Sequence, residues 1–310
     1  MMLPSSPALR RLAKYGLHST GYYRRRLSQV EFPGVAVLCY HGIRGDEPEE
    51  PPFRDLHVAS SAFEGHCRFL RDCCSPISTA QLLAALDGAP LPPRPVLVTF
   101  DDGYRSLVEQ GLPILERYEI PAAVFVCVEP VERREHFWFD STYRRRGESA
   151  VLAARSVPIA EWRALVDAAA MPADEADAHR PMTVDELRRL ASSPLIEIGG
   201  HTMTHLTLAL ASVDEQRYEI EKCRDELASL TGKRPTGFAY PYGLRPGDYS
   251  SETMTLIAEA GFRYAFSTLQ QFARLDCDRF EIPRFVMLDG VDEAELAHRL
   301  AYSWHVSPTA

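Results

Sequence analysis

The sequence contains no apolar run near the ~20 residues a membrane-spanning helix needs. Residues 9–29 also lack an uninterrupted apolar core of ~7 residues or more, as a secretory signal would have. The chain as written therefore reads most simply as cytoplasmic. Cysteine is poorly placed for chemistry. The seven thiols (Cys39, Cys67, Cys73, Cys74, Cys127, Cys223 and Cys277) are odd in number, none forms a C-x-x-C pair, and several sit inside apolar runs. That pattern excludes a disulfide framework and argues against a zinc–cysteine site, leaving reduced, mostly buried thiols. Positive charge is also short. With 34 basic against 43 acidic residues the net charge is −9, which speaks against a nucleic-acid binder, since phosphate binding needs a basic face. No internal repeat is evident.

What is present is ordinary globular material: 310 residues, 45% hydrophobic and 25% charged. That is enough for one barrel-sized domain or two smaller ones. Residues 9–26 stand apart, with Arg10, Arg11, Lys14, Arg24, Arg25 and Arg26 and no acid. Residues 1–30 are read as a basic N-terminal arm. It is either loose and solvated or a basic helix on the anionic inner membrane face, with Leu9, Leu12, Tyr15 and Leu17 partly buried.

Short β-branched apolar runs at 35–40, 96–100, 122–128, 196–199, 236–240, 264–267 and 280–286 predict strands. Helical patterns at 60–73, 79–86, 106–117, 183–191, 213–230, 251–260 and 292–302 alternate with them. Thr183 and Glu186 spell a capping box. Continuous apolar strands, each followed by a helix, are the mark of a parallel α/β sheet or barrel. Residues 31–310 are assigned to that domain. Residues 129–181 break the rhythm and read as an insertion on the barrel rim. The Phe137-Trp138-Phe139 cluster there either lines a groove or caps the barrel.

Three motifs follow predicted strands, at the carboxyl-end rim where parallel α/β folds build active sites. In TFDDGY (99–104) two adjacent carboxylates point different ways as the strand ends, so one can bind a metal while the other stays free as a base. In GHTMTH (200–205) His201 and His205 have a spacing suited to metal capture. In FAYPYG (238–243) an aromatic-Pro-aromatic-Gly turn offers ring faces and backbone N–H groups. One Asp and two His form a three-ligand set with open positions, favouring zinc, cobalt or iron over magnesium.

With these motifs in this order, the chain resembles the polysaccharide deacetylase family, carbohydrate esterase family four (the chitooligosaccharide-deacetylase homology domain). VLCYHGI (37–43) and FAYPYG make it more similar to the poly-N-acetylglucosamine deacetylase branch than to chitin or peptidoglycan deacetylases. The resemblance implies an α/β fold, a distorted, incomplete (β/α) barrel of about seven strands. It implies one divalent metal ion, most simply zinc, held by Asp102, His201 and His205, with Asp101 as general base and the Tyr242 N–H in the oxyanion hole. Tyr104, Trp138, Tyr240 and Pro241 are the expected sugar-binding residues. The sequence departs from the family pattern where many members carry an Arg two residues before the third motif's Pro. Ala239 stands there, and Arg284 is the candidate to supply that charge from another strand. The general acid is either His41, at the first strand's end, or His298 in Leu296-Ala297-His298, which falls within a predicted helix and so reads as a surface residue.

The implied activity is hydrolysis of an N-acyl amide, most simply N-acetyl, on an amino sugar in a poly- or oligosaccharide or lipid-linked glycan. The rivals are an amidase or deformylase acting on a small or lipid-linked substrate, and a catalytically silent carbohydrate-binding barrel. An intact Asp-Asp and His-x-x-x-His set speaks against the last.

Overall fold

The computed structural model describes residues 6–45 and 50–302. Its strands are β1 (Ala36–Tyr40), β2 (Gly42–Arg44), β3 (His57–Ala59), β4 (Ser75–Pro76), β5 (Pro95–Phe100), β6 (Ala122–Val126), β7 (Ile196–Gly200), β8 (Gly237–Ala239), β9 (Tyr264–Phe266) and β10 (Phe285–Val286). Seven of them form one curled, parallel sheet in the order β10-β1-β5-β6-β7-β8-β9, with β4 paired to β5. This is the expected distorted, incomplete barrel. The gap between β9 and β10 is spanned by the chain leading into β10. Ala265 N–H donates to Arg279 O (2.8 Å) and Ser267 N–H to Ile282 O (2.8 Å), while Met287 N–H reaches Cys39 O on β1 (2.8 Å). The strand expected over 280–286 is thus mostly an irregular seam.

Every residue of β1, β5 and β6 is buried, because both faces of the sheet are covered. Alternation sends Leu38, Tyr40, Val98, Phe100, Val124 and Val126 into one core, against the helices. It sends Val37, Leu97, Ala123, Phe125, Ala239 and Phe266 into another, inside the curl. The outer layer is α1 (Pro7–Ser19), α2 (Tyr22–Leu27), α3 (Ser60–Cys73), α4 (Thr79–Leu86), α5 (Leu112–Arg117), α6 (Val128–Arg133), α7 (Trp138–Arg146), α8 (Glu148–Ala154), α9 (Ile159–Ala169), α10 (Val184–Ser192), α11 (Val213–Thr231), α12 (Ser251–Glu259) and α13 (Glu293–Ala301). The Thr183–Glu186 capping box opens α10. Helices α6 to α9 all lie between β6 and β7, and their Phe137, Trp138, Phe139 and Trp162 are buried in one cluster. No described helix is long and apolar enough to cross a membrane.

The basic N-terminal segment is not a loose arm. Its helices α1 and α2 pack on α13, where Tyr23 and Leu27 are fully buried. Lys14 pairs with Glu295, His18 with Glu293 and Arg11 with Asp292. Those side chains turn toward the acidic first turn of α13, and Leu9, Leu12 and Tyr15 are left exposed. His298 is likewise no surface residue. It is half-buried, and its Nδ1 meets the Tyr23 hydroxyl at 3.0 Å. Tyr23→Ala should cost about 3–5 kcal/mol, the usual loss for a fully buried aromatic. Urea denaturation reads it, and an unchanged midpoint would show the N-terminal helices to be dispensable.

Candidate active site

Strand periodicity aims the first site residues. On β1 and β5 the inward rows run Val37, Cys39 and Leu97, Thr99. One more step of two in each row reaches His41 and Asp101 at the carboxyl end. Asp101 is buried there and meets Arg284, itself fully buried, in a two-pronged ion pair: Nη1–Oδ1 2.7 Å and Nη2–Oδ2 2.6 Å. Two further Arg284 donors reach Ser267 O (3.0 Å) and Thr99 Oγ1 (3.2 Å). Burial alone would raise the Asp101 carboxyl, but the guanidinium holds it below its ordinary value. Cys39 lies beside the pair, 3.4 Å from Asp101 Oδ2, and burial pushes its thiol well up.

Asp102 turns the other way because its backbone is left-handed, with φ 70°. Its Oδ1 lies 3.4 Å from His201 Nε2 and 3.3 Å from His205 Nε2. All three side chains are buried, and their ligand atoms lie within 4.8 Å of one another. His201 Nδ1 sits 2.8 Å from the Ala239 carbonyl. That carbonyl accepts only from an N–H, so Nδ1 carries a proton, and the neutral ring then offers Nε2 as its lone-pair atom toward Asp102. Asp102 Oδ1 accepts no hydrogen bond. Acceptor atoms converging on one buried point call for a cation between them. A divalent metal fits, and His₂Asp leaves coordination positions open.

The backbone around this point is strained. Five of the eight described non-glycine residues with positive φ are Phe53, Asp102, Thr202, His205 and Tyr242, all at or beside this site; such clusters mark functional positions. A frame the motifs do not reveal holds these turns. Cys127 N–H, just past β6, donates to Asp102 O (3.0 Å), and Glu129 N–H donates to Met203 O (2.9 Å). Glu219, from α11, accepts from the N–H groups of Met203 (2.9 Å) and Thr204 (3.0 Å). Burial pushes Glu219 up to about 7 despite those bonds. The sequence signal for it was faint: an acid in an otherwise buried row of α11.

A cavity of about 800 Å³ opens on Asp101, Asp102, His201, His205, His41 and Tyr242. Tyr242 N–H makes no hydrogen bond among the described residues. The four expected sugar-binding residues are not on the cavity wall. Tyr104 is buried with its hydroxyl on Asp140 (3.1 Å), and Trp138 donates from Nε1 to His205 O (3.1 Å). Tyr240 is stacked on Tyr249 at 3.7 Å, and Pro241 is buried in its turn. Aromatic rings next to a strand end found partners in the core, so they brace the site from behind. Phe139, Tyr143 and Arg155, from the helices between β6 and β7, line the cavity instead. His298 is absent from the wall.

Removing one partner of the Arg284–Asp101 pair strands the other as a buried charge. Arg284→Leu should therefore destabilise the fold by about 3–5 kcal/mol, and adding Asp101→Leu should recover most of it. Urea unfolding of both single variants and the double variant measures this; a double-variant loss equal to the sum of the single losses would mean the two charges are not coupled.

Comparison with known proteins bears on the family and the fold. A family profile described as polysaccharide deacetylase matches residues 88–265, more than half the chain and all three motifs. The putative polysaccharide deacetylase YxkH of Bacillus subtilis is 21% identical over 260 residues, covering 83% of this chain and 72% of that protein. The poly-beta-1,6-N-acetyl-D-glucosamine N-deacetylase of Escherichia coli is 25% identical over 312 residues, covering 89% of this chain but only 40% of that enzyme. Among solved structures, the Streptococcus pyogenes deacetylase PplD superposes with a TM-score of 0.64 at 19% identity, covering 86% of this chain and 98% of that one. IcaB from Ammonifex degensii gives 0.60 at 19% identity, covering 86% and 97%; at such identities the likeness is one of fold. On the strength of the profile match and its three motifs, the chain belongs to the polysaccharide deacetylase family.

Proposed function

We propose that this protein hydrolyses the N-acetyl amide of an amino sugar, using a divalent metal held by Asp102, His201 and His205. The observation that carries the reading is the convergence of Asp102 Oδ1 with two imidazole Nε2 atoms at 3.3 and 3.4 Å, beside an arginine-clamped carboxylate on a cavity floor. A divalent ion there supplies Lewis acidity and an acidified water; zinc is the first choice for this donor set, with cobalt and iron as alternatives.

Asp101 is the proton acceptor. Arg284 fixes its plane and keeps it ionised, and it can take a proton from water at the cavity floor. In this reading the Tyr242 N–H receives the negative charge that develops on the amide oxygen. His41 is the proton donor to the departing amine, because it lines the cavity while His298 is engaged with Tyr23. Arg155 lies over the Tyr242 ring at 3.6 Å and holds that turn in place. The carrier of the sugar, whether poly- or oligosaccharide or lipid, is left open by this floor.

Metal-stripped protein resupplied with zinc or cobalt should release acetate from N-acetylglucosamine oligomers or alkyl N-acetylglucosaminides. Asp101→Asn should still take up one metal per chain by equilibrium dialysis while losing on the order of 10²–10⁴-fold in kcat. His201→Ala should lose metal and turnover together. Full turnover in Asp101→Asn would remove it as the base, and absence of metal uptake by the native chain would leave a carbohydrate-binding barrel.

A further inference from the structure

We infer that the upper part of the cavity binds an aliphatic chain, so that the substrate is an amino sugar carried on a lipid-like tail; the sugar end of this inference rests on the deacetylase reading above. Beyond the floor the lining is mixed: Arg54, Asp55, Glu148, Gln270 and the Arg155–Asp248 pair supply polar groups, and beside them lies a stretch of apolar side chains. Phe139 and Tyr143 come from α7, Leu152 from α8, Leu244 and Leu269 from the loops after β8 and β9, and Phe53 from the segment before β3. Phe53 packs on Tyr143 with ring centroids 4.9 Å apart, which closes one side.

Two of these walls are braced against each other. Arg155, at the end of α8, stacks on Tyr242 and donates to Asp248 (3.1 Å). Asp248 in turn accepts from Leu244 N–H (2.8 Å). Leu152 and Leu244 thus stand on two sides of a tied mouth, and they are 53% and 49% exposed.

A single exposed leucine needs no explanation. Two of them beside an apolar stretch of the lining do, because a sugar ring finds its polar partners at the floor and the charged wall residues and gains nothing from leucines. Hydroxyls lose water bonds without return against branched hydrocarbon. Aliphatic side chains gain only when something equally apolar covers them. A cavity of about 800 Å³, toward the upper end of the roughly 300–1,000 Å³ usual for small-molecule sites, has space for such a tail beyond the ring. A tail of this kind is presented by a lipid surface. Helix α1, whose Arg11 meets Asp292 in the rim loop after β10, shows Leu9, Leu12 and Tyr15 to solvent.

The test is calorimetry of the full chain with N-acetylglucosamine β-glycosides carrying methyl, hexyl, octyl and decyl chains, each below its micelle concentration. Kd should fall roughly two- to fourfold per added methylene. Leu152→Asp and Leu244→Asp should flatten that dependence, whereas Leu210→Asp, at an exposed leucine outside the cavity, should keep it. A decyl glycoside that binds no tighter than the methyl glycoside overturns the inference, as does full chain-length gain in both cavity variants. Acetate release from the same compounds is followed in parallel. Its absence counts against the deacetylase reading alone, because the Kd series reports on the tail site without turnover.

Discussion

The buried pair of Arg284 and Asp101 sets conditions that much of the rest of the molecule meets. Two full charges inside a β/α curl are tolerable only when they are paired and further hydrogen-bonded. Here both carboxylate oxygens take a guanidinium nitrogen, and two of the three leftover N–H donors go to Ser267 O and Thr99 Oγ1. Satisfying Arg284 therefore requires the seam over 279–286 to reach across from β9 to β1. The same bonds that bridge the incomplete barrel carry the arginine to its partner. Closing the sheet and orienting the proposed base are one structural event.

With Asp101 held inward, Asp102 must leave the strand by a left-handed turn to reach His201 and His205. His205 and Tyr242 adopt the same unfavourable backbone region. Such residues persist only where their surroundings over-determine them. The surroundings are Cys127, Glu129, Glu219 and Trp138, all donating to or accepting from the strained turns. The helices between β6 and β7 serve twice in this arrangement. Their buried aromatics brace the histidine loop from behind, and Phe139, Tyr143 and Leu152 line part of the cavity.

Ala239 shows how one role can move between segments. Its carbonyl orients His201, and the charge that many family members place at that position arrives on Arg284 instead. What Asp101 needs is a guanidinium at the right distance, whichever strand delivers it.

The parallel sheet and the residues of the cavity floor were legible in the sequence. Strands buried on both faces read as continuous apolar runs, and the period of two carries directly from Thr99 to Asp101. Adjacent Asp101 and Asp102, with His201 and His205 at a metal-binding spacing, likewise announce themselves locally. The aromatic residues misled, since Tyr104, Trp138 and Tyr240 have the same composition whether they face a sugar or a core, and burial is decided by what folds over them. The basic N-terminal segment looked loose because its acidic partners on α13 lie at the far end of the chain. Glu219 and the apolar wall were invisible for the same reason. Short-range pattern determined which residues leave the strand ends, and in which direction. Only the tertiary fold decided what they meet, because those partners are separated in the chain and brought together by packing.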